Sequence, residues 1–313
     1  MKLSLSTNWC NRRMESGEEI ADAAAALGFD ELELGFHTSV QQVAGFRNRL
    51  DSIPVGSVHA FCPVPISAPH GHPELYSLAS FDPEARALAR FHIAKNIDFA
   101  ADIGADTVVL HAGRVWFTSF FRRNFTSAVL CESLEKAKGN VADKKHAKLL
   151  ARAMKLRRSR GAELLELFKA ELAPLVPLLE KRGVVLALEN LPYLEGFPDE
   201  SEMAALAAEF SSSPVKAWFD TGHHRVREMH GWLSDGFSST VPNEEFWSFI
   251  RGMHLNDVVD FNDDHLPPGE GKVDFAALAR LASGVKHVVV EPNASVRTEA
   301  LAKGVAHIKS IWK

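Results

Sequence analysis

The sequence predicts a (β/α)8 barrel, and two observations carry that prediction. Short runs of β-branched and aliphatic residues alternate with helical patterns eight times along the chain. That is the element order of a parallel sheet wrapped by helices. Several of the short runs, VVLALEN and HVVVE among them, are almost continuously apolar, as strands are when both faces of a sheet are covered. A doubly wound open sheet is the alternative for the same alternation.

In chain order, residues 2–9 read as the first strand. Residues 16–27 form a helix with Ser16 as N-cap, Glu19 at the capping-box position and Gly28 as its stop. Strand 31–35 (ELELG) and helix 38–50 follow, then strand 55–62 (VGSVHAFC), a long helix 82–103 closed by Gly104, and strand 107–111 (TVVLH). After an interruption come helix 161–181 with Gly183 behind it, strand 184–190, helix 200–210 and strand 215–220. The last units are helix 244–250, strand 252–256, helix 275–282, strand 287–291 and a closing helix 296–312.

The interruption, residues 114–160, is far longer than an ordinary βα connection. It holds thirteen lysines and arginines against three acids, a net of +10, which leaves −15 on the rest of a chain whose net charge is −5. Its first part is aromatic (Trp116, Phe117, Phe120, Phe121, Phe125) and residues 144–158 look helical. We read it as a basic helical insertion after the fourth strand; a lid, a phosphate-reading patch and a dimer arm are the functional alternatives to a solvated face. No internal repeat or low-complexity tract interrupts the pattern.

At 313 residues the chain fits one large barrel or two smaller domains. We expect a single TIM-barrel domain over 1–313. A hydrophobic content of 46% beside 24% charged residues permits a sizeable core. The net negative charge argues against a general nucleic-acid coat. Three scattered cysteines, Cys10, Cys62 and Cys131, form no disulfide framework and no CxxC, which points to a reducing cytoplasm. The N-terminal stretch lacks the apolar core of a signal peptide, and no apolar run is long enough for a membrane helix.

In such a barrel the chemistry belongs at the C-terminal strand ends. The third strand ends near His59, the fourth at His111 and the fifth at Glu189-Asn190. The sixth ends at Asp220, with His223 and His224 just behind; the seventh carries His254 and Asn256-Asp257; the eighth ends at Glu291. Ionisable groups converging on one mouth are expensive to bury unless they neutralise a cation. Glu189, Asp220, His254 and Glu291 make a mixed oxygen and nitrogen set, spaced 31, 34 and 37 residues apart, about one βα unit each. Such a set suits Mn, Mg, Co or Zn. Each residue has a bland counterpart: a strand-end glutamate can be a cap or ion pair, and His59 and His111 can be satisfied core histidines. His224 and His230 read as structural or surface residues, and His70 and His72 in APHGHPE as an ordinary loop at the mouth. The segment RGMHLNDVVDFNDDHLPPGEG (251–271) adds Asp263 and His265 on a loop stiffened by Pro and Gly, dense enough in imidazole and carboxylate for a divalent metal and its supporting shell.

HxND followed by DxHLPPGEG, with LEN, DTGH, LHAG and VEPN at the other strand ends, resembles the xylose isomerase-like TIM barrels. The likeness is nearest to the branch of sugar phosphate isomerases/epimerases and endonuclease IV, and it covers nearly the whole chain outside 114–160. It implies a divalent metal held by Glu189, Asp220, His254 and Glu291, with the two glutamates as an acid/base pair on opposite sides of the reacting carbon. The endonuclease IV side of the family uses nine ligands around three zinc ions. His59, His111, Glu189, Asp220, His223, His254, Asp263, His265 and Glu291 offer suitable types at all nine places. The insertion maps onto neither branch, and the acidic remainder lacks the broad basic surface expected for duplex DNA.

We therefore expect a metal-dependent isomerase or epimerase of a sugar, sugar phosphate, polyol or keto-acid, working through an enediolate. A dehydratase using similar parts falls within this reading. A multi-zinc phosphoesterase is the alternative, and a barrel that only binds ligand is the third. Glu189 and Glu291 would be catalytic, with His223, Asn190 and Asp257 against the substrate. One metal ion is expected, with up to three allowed by the residue types. The partner would be a small carbohydrate-like molecule rather than nucleic acid or membrane, and the aromatic insertion hints at self-association.

Overall fold

The computed structural model describes residues 2–117, 127–140, 143–234 and 241–312. Strands β1 (Ser4–Ser6), β2 (Glu31–Leu34), β3 (Val55–His59) and β4 (Thr107–Leu110) alternate with helices α1 (Gly17–Ala26), α2 (Val40–Arg47) and α3 (Pro83–Ile103). A two-residue strand β5 (Gly113–Arg114) precedes α4 (Ser127–Lys136), α5 (Lys144–Leu172) and α6 (Val176–Arg182). Then come β6 (Val185–Glu189), β7 (Gly196–Phe197), α7 (Glu200–Phe210), β8 (Val215–Asp220), α8 (Thr221–His230) and α9 (Glu244–Trp247). The chain closes with β9 (Ile250–Leu255), α10 (Ala279–Gly284), β10 (His287–Val290) and α11 (Thr298–Ile311).

β1, β2, β3, β4, β6, β8, β9 and β10 pair in that order into a closed barrel, β10 returning to β1, and all of these pairs are parallel. The barrel prediction holds, and closure removes the open-sheet alternative. The N-cap at Ser16 behaves as read, accepting from the Glu19 amide; the Glu19 carboxylate turns to the Glu15 amide instead of closing a capping box, and Asp82 caps the long helix by accepting from the Glu84 amide ahead of Pro83.

Several boundaries differ, four of them for a clear physical reason. The first strand spans only Ser4–Ser6, because the chain turns into a 3₁₀ segment at Thr7–Trp9. The expected helix 244–250 stops at Trp247, since Ile250 is already in β9. The expected helix 275–282 is a turn followed by the short α10. The helix expected to begin at Gly161 is instead the second half of the 29-residue α5. Glycine in the sequence suggests a boundary, yet Gly161 is buried against α7: a Cβ there would stand 2.0 Å from Glu202 Oε1, so close approach, rather than a helix start, requires the glycine. One helix was not foreseen at all. α8 starts directly at Thr221, with Asp220 accepting from the His223 amide as its N-cap.

Within 114–160 the described residues form α4 and the first half of α5, whose buried positions His146, Leu150, Ala153 and Arg157 follow helical spacing. Phe120, Phe121 and Phe125 lie outside the described residues.

Strand periodicity builds the interior. Side chains two apart share a face, so Glu33, Glu189, Asp220, His254 and Glu291 point inward with Glu31, Ala187, Trp218, Gly252 and Val289. Trp218 fills the middle of the barrel with Val109, Ala187 and Val289. Its ring lies 5.1 Å from His254 towards the C-terminal end and 6.3 Å from His287 towards the N-terminal end.

Candidate metal centre

Above Trp218 the strand ends meet. His254 Nδ1 lies 3.2 Å from Glu189 Oε1, 3.1 Å from Glu291 Oε2 and 3.6 Å from Asp220 Oδ2. The four donors lie within 4.8 Å of one another, and none of the residues is more than 5% exposed. Two further groups adjoin them. His59 Nε2 and His111 Nε2 each approach Glu189 Oε2 at 3.2 Å. Asp263 bridges His223 Nε2 and His265 Nε2 at 3.3 Å each. All nine residues read from the sequence as ligands thus fall into three clusters, with Glu189 shared by two.

The donor chemistry fits metal ions. His254 Nε2 is paired with Glu33 Oε1 at 2.9 Å, so the ring donates there and turns a lone pair at Nδ1 towards three carboxylates. The same arrangement recurs at three other rings. His59 Nδ1 donates to the Ala60 carbonyl at 3.0 Å, His223 Nδ1 to the Asn190 carbonyl at 2.8 Å, and His265 Nδ1 to the Glu291 carbonyl at 3.0 Å. A carbonyl only accepts, so in the neutral ring the opposite nitrogen is a lone pair facing carboxylate oxygens. Lone pair against carboxylate is repulsive unless a proton or a cation sits between, and tying down the far nitrogen is the habit of metal-bound histidine.

Without a cation, protons must balance the charge. Burial opposes ionisation of Asp220 and, with the charge of Glu189, raises its pKa to about 6 against the pull of His223. Burial disfavours the His223 imidazolium, yet Asp220 and Asp263 push it up to about 10. His254 is likewise raised well above the usual histidine value by Glu291, Glu33 and Glu189 despite its burial. Glu189, although fully buried, is held well below the usual carboxylate value by His254 and His111.

Further side chains hold these groups in place. Glu33 accepts from Ser57 Oγ at 2.9 Å while gripping His254. Asn8 Nδ2 donates to Glu291 Oε1 at 3.1 Å, with Ser6 Oγ at 3.4 Å. Asn256 Nδ2 donates to Asp220 Oδ2 at 2.6 Å. Sequence reasoning missed Glu33. The signal was present, because ELELG puts a second carboxylate on the inward face of a buried strand.

A cavity of about 340 Å³ opens over the site, lined by His59, His111, His223, Asp263, His265 and Glu291, a volume suited to a small metabolite. Two residues expected against the substrate do not line it. Asn190 spends both amide atoms on the backbone of Asp220. Asp257 is fully buried and takes the amides of Val258, Gly269, Gly271 and Val273, which shapes the PPGEG loop. His70 and His72, read as an ordinary loop, do line the cavity. The two histidines read as structural or surface residues, His224 and His230, are both buried.

The sequence matches the family model for the xylose isomerase-like TIM barrel over residues 21–311. The chain belongs to that family. Similar solved structures include a D-tagatose 3-epimerase-like protein, 20% identical with a TM-score of 0.65, the match covering 99% of this chain and 97% of that one. The Escherichia coli 3-keto-D-glucoside 4-epimerase, in apo form, is 16% identical over 99% of both chains, with a TM-score of 0.65. A Thermus thermophilus protein soaked with ZnCl2 is 20% identical over 99% of this chain and 98% of that one, with a TM-score of 0.59. No curated protein sequence matches significantly. Among the described residues no helix is long and apolar enough to cross a membrane.

Proposed function

We propose that this member of the family is a divalent-metal-dependent isomerase or epimerase of a sugar or sugar derivative. The observation that carries the reading is the meeting of Glu189 and Glu291 at one imidazole nitrogen, 3.2 and 3.1 Å from His254 Nδ1, beneath a metabolite-sized cavity. Glu189, Asp220, His254 and Glu291 would hold the metal. When bound, a divalent ion polarises a carbonyl and stabilises negative charge on oxygen.

The protein's own groups do the rest. Glu189 and Glu291 are held in the carboxylate form by neighbouring imidazoles, after burial has opposed it, so both can accept a proton at neutral pH. One takes the proton from the carbon beside the carbonyl, leaving an enediolate. The other, loaded with a proton from solvent before the turnover, returns it to the opposite face of that carbon, giving an epimer; return to the neighbouring carbon, with the hydroxyl proton passing from one enediolate oxygen to the other, gives an isomer. The proton count balances without any oxidant. Asn8 and Ser6 hold Glu291, while the paired His59 and His111 confine Glu189. The names of the similar structures support sugar chemistry for the fold.

A second reading is favoured by one observation. His59 with His111, and His223 with Asp263 and His265, form two more ligand clusters beside the first. A phosphoesterase with two or three zinc ions would use all three. Metal content per chain, on protein purified without added metal or chelator, decides between them. About one ion, with proton exchange at a sugar carbon, supports the isomerase or epimerase. Two or three zincs, with phosphoester cleavage and no exchange, overturn it.

A further inference from the structure

The cavity has a second wall, which the metal clusters do not use. Arg12, His37, His70 and His72 line its rim. Arg12 is exposed, and among the described residues it makes no hydrogen bond or ion pair. Its neighbour Arg13 is committed elsewhere, donating to the Ala294 carbonyl and stacking on Trp9. The nearby acid, Glu74, is engaged by Arg114 at 2.9 Å. The rim therefore presents one guanidinium, unpaired among the described residues, beside three imidazoles, and the carboxylate next to it is already committed.

This wall is built rather than incidental. Gly71 packs directly on Phe36 and His37: a Cβ there would stand 1.9 Å from the Phe36 carbonyl oxygen and 3.0 Å from His37 Nδ1. Only glycine permits that approach, and it brings His70 and His72 beside His37. Burial, then the charge of Arg12 and of His72 and His70, depresses His37 to about 4. His37 is therefore an uncharged imidazole at neutral pH, a hydrogen-bonding group beside the fixed charge of Arg12.

The rim also lies at a useful distance from the metal clusters. Phe36 separates His37 from His59, with ring centroids 4.6 and 5.1 Å away respectively. One aromatic ring thus divides the rim from the floor, a gap that the carbon chain of a pentose or hexose bridges.

We propose that Arg12, His37, His70 and His72 bind the phosphate group of a phosphorylated sugar whose reacting carbons lie over the metal clusters. A phosphate monoester carries nearly two negative charges at neutral pH and offers three acceptor oxygens. A guanidinium fork supplies paired donors for it, and the imidazoles supply the remaining donors. The sugar part of this assignment rests on the isomerase or epimerase reading; the anion site does not.

The test has two arms, both on metal-loaded protein. The first titrates inorganic phosphate by calorimetry into wild type, Arg12→Gln, Arg12→Lys and the His70→Gln/His72→Gln pair, with metal content and melting temperature checked on each. Losing a hydrogen bond to a charged group predicts that Arg12→Gln weakens phosphate binding about tenfold or more, that Arg12→Lys restores part of it, and that the histidine pair weakens it independently. Unchanged affinity in both the Arg12→Gln and the histidine-pair variants overturns the proposal, because phosphate then sits on the metals. Acetate binding as tightly as phosphate, with the same dependence on Arg12, also overturns it and makes the rim a carboxylate reader. The second arm compares kcat/KM for proton exchange in sugars with and without their phosphate; preference for the neutral form overturns the proposal. If no sugar exchanges in either form while phosphate binding still depends on Arg12, the rim assignment is supported and the isomerase reading fails.

Discussion

Glu33 shows how much of the site depends on one residue beneath it. It has no exposed surface, and its carboxylate fixes which nitrogen of His254 faces the ligand cluster. Glu33→Gln keeps the volume but makes a weaker partner for the Nε2 proton. We expect metal affinity to fall roughly 10- to 100-fold with the fold intact, measured by competition with a chromophoric chelator; unchanged affinity removes Glu33 from this role. Glu291→Gln addresses the chemistry itself. It is expected to abolish proton exchange at the substrate carbon, by at least about 100-fold, in protein that keeps its circular dichroism spectrum. Exchange at the wild-type rate in that variant ends the acid/base assignment.

At the scale of elements, α5 is pinned to the segment that follows β6 through a single buried arginine. Arg157 donates to Glu202 Oε1 and Oε2 at 2.5 and 2.7 Å, to the Leu194 and Gly196 carbonyls at 3.2 and 2.6 Å, and pairs with Asp199 at 2.9 Å. Removing one partner of a buried pair costs about 3–5 kcal/mol, so Arg157→Ala should lower stability by that order. Gly161 sets two rules against each other. Helix propensity alone predicts that Gly161→Ala stabilises by about 1 kcal/mol. The added methyl would meet Glu202 Oε1; Arg157 holds that oxygen and the Asp199 amide holds Oε2 of the same carboxylate, and overpacking of this kind costs about 1–3 kcal/mol. We expect net destabilisation in urea unfolding; a stabilised variant would show that Glu202 moves aside at little cost.

Across the whole molecule the barrel carries charge at both ends with an apolar layer around Trp218 between them. At the N-terminal end His287 Nε2 meets Asp106 Oδ1 at 2.7 Å, and Nδ1 lies 3.8 Å from Glu31 Oε2. β2, β10 and the residue that leads into β4 are tied together there. His287, with Lys2 donating to Glu31 Oε1 at 2.7 Å, lowers Glu31 to about 2 against its partial burial. His287 is raised above its usual value of 6.5 by Asp106 and Glu31, although burial opposes the imidazolium. The depressed Glu31 contributes stability above its usual value of 4.5, lost as pH falls towards 2. The raised His287 contributes stability below 6.5, lost as pH rises through its folded pKa. Both act together between pH 4.5 and 6.5. The difference in urea midpoint between wild type and His287→Gln should be greatest in that window and shrink on either side. A difference that does not vary with pH rules this linkage out.

The alternation of apolar runs and helical patterns determined the barrel, because eight repeats of one local rule leave few closed architectures. The strand-end pattern likewise brought Glu189, Asp220, His254 and Glu291 to notice, since inward-facing charge at the end of an apolar strand needs a partner. Other features were decided only by the tertiary structure. Glu33 reaches His254 across 221 residues of sequence, a contact no local window contains. Asn190 and Asp257 look like site residues by position, yet both turn to the backbone, where they satisfy amides of Asp220, Gly269 and Gly271. Gly161 reads as a helix boundary until α7 is packed beside it. The rim of Arg12, His37, His70 and His72 comes from three separate loops, and only barrel closure sets those loops around one mouth.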